Sequence, residues 1–228
     1  MSSSITRTLA ALSLSALIAS PLSHAAAQTT SEQELVDRAR LTVDAMRRDR
    51  DFPALETYLD RAKGVLIVPS AIKAGFIFGG EGGNGVLLSK NAAGEWSYPA
   101  FYTLASGSIG LQVGVQEAEV IFVIMTQKGL DQVIKNQFKM GADASMALGP
   151  VGAGVGASTT PAFGADIYSF VKARGAFAGG AFEGSYVGKR EDLNNKYYGR
   201  PASARDIVFD FKVSNTGADG LRQALARK

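Results

Sequence analysis

Gly80-Glu81-Gly82-Gly83-Asn84-Gly85 fits G-x-G-x-x-G, a spacing that lets backbone cradle a pyrophosphate. That chemistry needs a helix to begin right after the glycines, so that free N–H groups meet the phosphates. Val86-Leu87-Leu88-Ser89-Lys90-Asn91 follows instead, short, apolar and closed by a turn signal. It reads as a strand, so the stretch is taken as a glycine-rich hairpin and nucleotide binding is set aside. Glu81 and Glu183 sit in glycine-rich strands and have the right type for paired acid/base work. No motif brings them together, and no enzyme is assigned on them.

The rest of the inventory excludes more. The chain has no cysteine, and its one histidine is His24. His24 lies in a stretch with the marks of a secretory signal. Arg7 supplies a positive start, Leu9 to Ile18 a short apolar run, and Ala25-Ala26-Ala27 a cleavage site, with Ser23-His24-Ala25 as a second option. The run is too short to span a bilayer. With residues 1–27 removed, the chain has no His or Cys for a catalytic triad, a thiol nucleophile, a zinc site or a disulfide. The expectation is an exported protein, in the periplasm or secreted, of one domain over residues 28–228, without cofactor or metal. Arg7 leaves with the leader, so 23 basic residues face 21 acidic ones. A net charge of about +2 does not point to nucleic acid. An anionic partner would need a local patch.

Four cations border glycine- and phenylalanine-rich strands: Lys63, Lys73, Lys172 and Arg174. Basic groups beside an apolar surface attract anionic lipid by about 1 kcal/mol each. The ordinary role of a surface Lys or Arg is solvated charge.

The elements that must position these residues read as follows. Ser31-Glu32-Gln33-Glu34 is a capping-box pattern opening a helix whose stripe is Leu35, Ala39, Val43 and Met46. The helix either packs on the domain or lies on a membrane surface; its mixed charges favour packing. Asp51-Phe52-Pro53 starts a short helix to about Ala62, with Leu55, Tyr58 and Leu59 inward. Gly64 to Pro69 is a buried strand ended by proline. In the next hairpin, Gly79 to Gly85 turns the chain. A turn over Asn91 to Gly94 leads to a strand Glu95 to Phe101, demoted to an edge by Pro99. Ser108 to Val115 alternates, Glu119 to Met125 is a strand, and Gln127 to Phe138 is helical. Val151 to Ala157, Ile167 to Lys172 and Ala176 to Val187 read as strands. Thr159 to Ala162 reads as a loop and Asn194 to Gly199 as a turn with an aromatic clamp. Asp219 to Arg227 reads as a helix with Asp219 at its cap. The fold class is α+β: an extensive, bent, mainly antiparallel sheet or partial barrel, with N-terminal and central helices packed on it. Frequent glycine in short runs favours bending.

Taken together, these residues resemble the SYLF domain family, a lipid-binding module of membrane–actin adaptor proteins that also occurs in exported bacterial proteins. The resemblance rests on Ala62-Lys63-Gly64, Lys73 to Gly80 with Gly85-Val86-Leu87, and Trp96-Ser97 with Pro99-Ala100-Phe101. It continues in Gly110-Leu111-Gln112 with Gly114, Gly149-Pro150, Arg174-Gly175 with Phe177 and Gly179, and Asn195 with Tyr197-Tyr198-Gly199. It covers about residues 33 to 226. It implies a non-catalytic domain that binds anionic phospholipids, phosphoinositide-like head groups among them, at a membrane surface. Some relatives bind actin filaments; a bacterial envelope would not present actin, so that partner is not expected here. The alternative is an envelope structural or protein-interaction module without lipid specificity.

Overall fold

The computed structural model describes residues 30–75, 78–109, 114–135, 138–150, 164–174, 182 and 184–227. The chain runs through α1 (Ser31–Arg48), α2 (Leu55–Arg61), β1 (Gly64–Gly75), β2 (Phe78–Ser89), β3 (Ala100–Ile109) and β4 (Gly114–Ile124). It continues through α3 (Gln127–Ile134), β5 (Phe138–Lys139), β6 (Met146–Leu148), β7 (Ile167–Arg174) and β8 (Tyr186–Lys189), and ends in α4 (Glu191–Tyr198), α5 (Ala204–Val208) and α6 (Asp219–Ala226). The eight strands form one sheet in the order β5-β8-β3-β2-β1-β4-β7-β6, strongly curled, as the α+β expectation had it. Its described pairings are antiparallel except β6 with β7.

The central strands are apolar along their whole proximal length because both faces are covered. Val65, Ile67, Val86, Leu88, Ile121 and Val123 face one core. There they meet Val36, Ala39, Val43 and Met46 of α1, Leu55 and Leu59 of α2, and Leu221 and Leu225 of α6. Leu66, Val68, Leu87, Val120 and Phe122 face the other core, closed by Leu130 and Val133 of α3 and by Ile207 and Val208 of α5. The α1 stripe is thus spent on the sheet, and the membrane-surface alternative for that helix does not hold. The N-cap is Thr30, whose hydroxyl accepts from Gln33 N at 3.2 Å.

Several boundaries differ from the sequence reading. Pro69 does not end β1. The strand passes through it at an irregularity, where the registers with β4 and β2 shift, between Val68 and Ala71 and between Ile67 and Ile72. A residue without an N–H is tolerated at such a break. The glycine run 79–85 is not the hairpin turn but the body of β2, paired with β1 from Gly64↔Ser89 to Gly75↔Gly79. Glycine is needed because the irregular part of β1 presses on it. A Cβ on Gly83 would lie 2.3 Å from the Ser70 carbonyl oxygen, and one on Gly85 2.5 Å from that of Ile67.

Before Ala100, the expected strand from Glu95 contributes a single bridge, Lys90↔Trp96. Within Ser108 to Val115, β3 closes at Ile109 and β4 opens at Gly114. The helix from Gln127 stops at Ile134, and Phe138 belongs to β5. Of Ala176 to Val187, the described strand is β8, from Tyr186. Asn194 to Gly199 is not a turn but the end of α4. Asn194 does not compete with its own helix, because its Oδ1 accepts from Phe101 N at 2.7 Å. Gly199, at φ +66°, then closes the helix left-handed. The tail helix is found, but Ala218 is its cap and Asp219 its first residue. The leader, Val151 to Ala157 and Thr159 to Ala162 lie outside the described residues.

Asp166 fastens the starts of β6 and β7 to each other. Its carboxylate accepts from Thr126 Oγ1 at 2.6 Å and from Ser145 N and Oγ, each at 3.0 Å, and it lies 3.3 Å from Lys128 Nζ. Burial works to raise its pKa, but the bonds from Thr126 and Ser145 and the Lys128 ammonium win, and it falls to about 2. A lowered carboxylate pKa stabilises the fold above its ordinary value, near 3.8, and the gain disappears as pH falls through about 2. Asp166→Asn is therefore expected to lower stability at neutral pH by roughly 2 kcal/mol. Urea melts of the two proteins should converge between pH 4 and pH 2. A gap that stays constant over that range would contradict the assignment.

Candidate functional site

The four cations do not form one patch. Lys63 is exposed and stands immediately before β1, while Lys73 lies near the far end of the same strand. Ten residues of strand separate them by about 30 Å. Lys172, on β7, is held by Asp49 at the end of α1, Nζ to Oδ2 2.7 Å, which draws the Asp49 pKa below the usual carboxylate range. Arg174 ends β7. Lys73 pairs in register with Gln116 and Arg174 with Glu117, successive residues of β4. The sheet therefore brings the Lys73 and Arg174 positions to one end, here called distal, and leaves Lys63 at the other. In backbone register, Lys73 is also paired with Glu81 of β2, and Arg174 with Glu117 of β4.

The packing of α1 explains what is exposed there. Its buried stripe covers the proximal half of β1, β2 and β4 and stops short of the distal half. Beyond it the sheet carries Gly80 and Ala105, both exposed, and Ile72, 47% exposed. Leu41, on the outer face of α1, is 55% exposed.

A cleft of about 650 Å³ runs along this boundary. Its floor is the irregular part of β1 at Ser70 and Ile72 with Gly82 and Gly83 of β2, its walls the first turns of α1 and the start of α4. Four charged side chains line it: Glu32, Glu34, Arg38 and Arg190. Glu32 is 1% exposed and its Oε1 is 2.8 Å from Lys196 Nζ. Burial would raise its pKa, yet the neighbouring ammonium and local hydrogen bonds bring it below the ordinary value. Arg190 is gripped by Asp192 through two bonds, Nε to Oδ1 2.9 Å and Nη2 to Oδ2 2.7 Å. Arg38 is half exposed and comes only within 3.8 Å of Glu117. The sequence reading missed this cleft, because its residues come from five separate segments. The available signal was Ile72, an apolar residue just past a proline in a strand.

The carboxylate pair weighed for acid/base chemistry gains no support. Glu81 is placed in β2 opposite Lys73, and Glu183 lies outside the described residues. Among the described residues, no group of three or more His, Cys, Asp or Glu could hold a metal ion. Melting temperature is expected to be the same with and without EDTA; a large drop on chelation would reveal a carboxylate site for a hard cation. No helix among the described residues is long and apolar enough to cross a membrane.

Residues 105–228 match the family model of Ysc84, described as "Las17-binding protein actin regulator". LAS seventeen-binding protein 3 of Saccharomyces cerevisiae is 32% identical over 153 residues, 66% of this chain and 33% of that protein. Protein YSC84 of the same yeast is 30% identical over 170 residues, 73% of this chain and 36% of that protein. SH3 domain-containing YSC84-like protein 1 of Homo sapiens is 29% identical over 178 residues, 78% of this chain and 51% of that protein. The chain spans about a third to a half of the length of these relatives. With the match extending over more than half of its length and through β4, β7, β8 and the C-terminal helices, this chain belongs to the Ysc84 (SYLF) family.

Proposed function

We propose that the domain is a non-catalytic module that binds anionic phospholipid at a membrane surface, through the distal end of its sheet. One observation carries the reading. Strand pairing puts Lys73 and Arg174 at the same end of the sheet, Arg174 on the face of Ile72 and Lys73 on the opposite face, and Ile72 is a nearly half-exposed apolar residue on a strip that α1 leaves uncovered. Cations on both faces of one sheet end, next to an exposed apolar residue, suit contact of that end with an anionic lipid surface. The signal-like residues 1–27 support an exported location, in the periplasm or outside the cell, with the mature chain starting near Gln28.

Cosedimentation with anionic and neutral vesicles at low and high salt tests the reading. Retention on anionic vesicles, lost as salt rises, is expected. Equal retention on both vesicle types would overturn it. A second reading is a protein-interaction module, favoured by the family description and the name of a relative, which speak of Las17 and LAS seventeen binding. Capture of a defined envelope protein by immobilised domain, with no vesicle binding, would put that reading first.

A further inference from the structure

We infer that the cleft beside α1 seats a phosphate ester carrying an ammonium group, the chemistry of an amino-phospholipid head group. The inference rests on the lipid reading above and names the head group. The cleft joins the proposed lipid surface at Ile72, which belongs to both and would meet the apolar root of the lipid. Its volume of about 650 Å³ is in the range of small-molecule sites.

The charges decide the class. Two of the four are already committed: Glu32 to Lys196, and Arg190 to Asp192 through two bonds. Arg190 has one further nitrogen, Nη1, turned to Asn84 Oδ1 at 3.4 Å. Two remain open. Glu34 is exposed and makes no recorded ion pair among the described residues, and Arg38 has only the distant Glu117. Glu34 and Arg38 are four residues apart on α1, a spacing at which they would normally pair. They do not; Arg38 reaches instead toward Glu117 of β4, 3.8 Å away. A ligand with an anion for Arg38 and a cation for Glu34 bridges the two. An anionic ligand without a cation meets Arg38 and is repelled by Glu34; a bare amine meets the reverse. A phosphoserine-type head group satisfies both and still carries the net negative charge that the lipid surface calls for. The Ser70 hydroxyl donates to Glu117 Oε1 at 2.6 Å, which partly satisfies the one acid near Arg38.

The test compares vesicles of equal negative charge density containing either phosphatidylserine or phosphatidylglycerol. Binding to the serine lipid should be tighter by about fivefold, the size of one partly exposed ion pair. Glu34→Gln should erase that preference, by weakening the serine arm and relieving the repulsion in the glycerol arm. Arg38→Gln should weaken both arms alike. Both residues are exposed on α1, so both variants should fold, and far-ultraviolet circular dichroism checks this. A soluble probe, glycerophosphoserine, should shift the amide resonances of Ser70, Ile72 and Gly83 in the wild type and not in Glu34→Gln. That result without any vesicle preference would assign the same chemistry to a free small molecule. Equal binding to both vesicle types with no response to the soluble probe overturns the inference and leaves the lipid reading standing. Failure to bind any anionic vesicle overturns the lipid reading itself.

Discussion

Gly83→Ala and Gly85→Ala should each destabilise the protein by roughly 3 kcal/mol, at the upper end of what one added methyl does in a packed interior. A Cβ at Gly83 meets Ser70 O at 2.3 Å, a Val68 methyl at 2.9 Å and Ala71 Cα at 3.2 Å. At Gly85 it meets Ile67 O at 2.5 Å and the other Val68 methyl at 2.9 Å. The nearest atoms are backbone of the paired strand, so no side-chain rotation relieves the contact. The strand pair must separate locally, breaking ladder hydrogen bonds where β1 is already irregular. In a domain of this size the loss corresponds to about 10 °C in melting temperature. Gly80 gives the internal contrast. A Cβ there finds nothing nearer than Ser106 O at 3.9 Å. Gly80→Ala should therefore be neutral or stabilise by about 0.5 kcal/mol, through a less flexible unfolded chain. Urea midpoints of the three variants decide it. Equal effects at all three positions would mean that the glycines serve chain flexibility alone and not the approach of β1.

The same glycines show where the sequence was legible and where it was not. Apolar periodicity located α1 and most strand cores, because those segments bury one face or both over several turns or pleats, and a cap signal at Asp219 located α6. The α+β class followed from that alone. The glycine run misled in a specific way. From sequence, glycine signals a turn as readily as a close approach between strands, and only the partner strand distinguishes them. Pro69 misled for the same reason, since a proline ends a regular strand but fits a break in one. Asn194-Asn195 looked like a turn because asparagine usually bonds its own backbone. Here Asn194 reaches Phe101, and Asn195 Oδ1 accepts from Ala202 N at 2.8 Å, which frees the segment to stay helical. The candidate site was legible in part. Cation-before-glycine spacing picked out Lys73 and Arg174, which the sheet does bring to one end. It could not separate them from Lys63 or Lys172. That separation depends on strand direction and on the Asp49 pair, neither of which spacing encodes.

Lys73→Glu combined with Arg174→Glu should lower affinity for anionic vesicles at least tenfold. Each substitution removes one attraction and adds one repulsion, at about 1 kcal/mol per cation near an anionic surface. Lys63→Glu is the control. It carries the same charge change about 30 Å away along β1. That is several Debye lengths at physiological salt, where the length is about 8 Å. Its effect should stay within about twofold, the scale of a remote, screened charge. Lys172 is unsuitable as a control, because replacing it also strands Asp49 at the end of α1. The fold should survive the double change, since both positions lie at the ends of their strands. A Lys63→Glu loss equal to that of the double variant would show that net charge, not a distal patch, holds the protein on vesicles. Undiminished binding by the double variant would remove the distal end of the sheet from consideration and leave the protein-interaction reading in front.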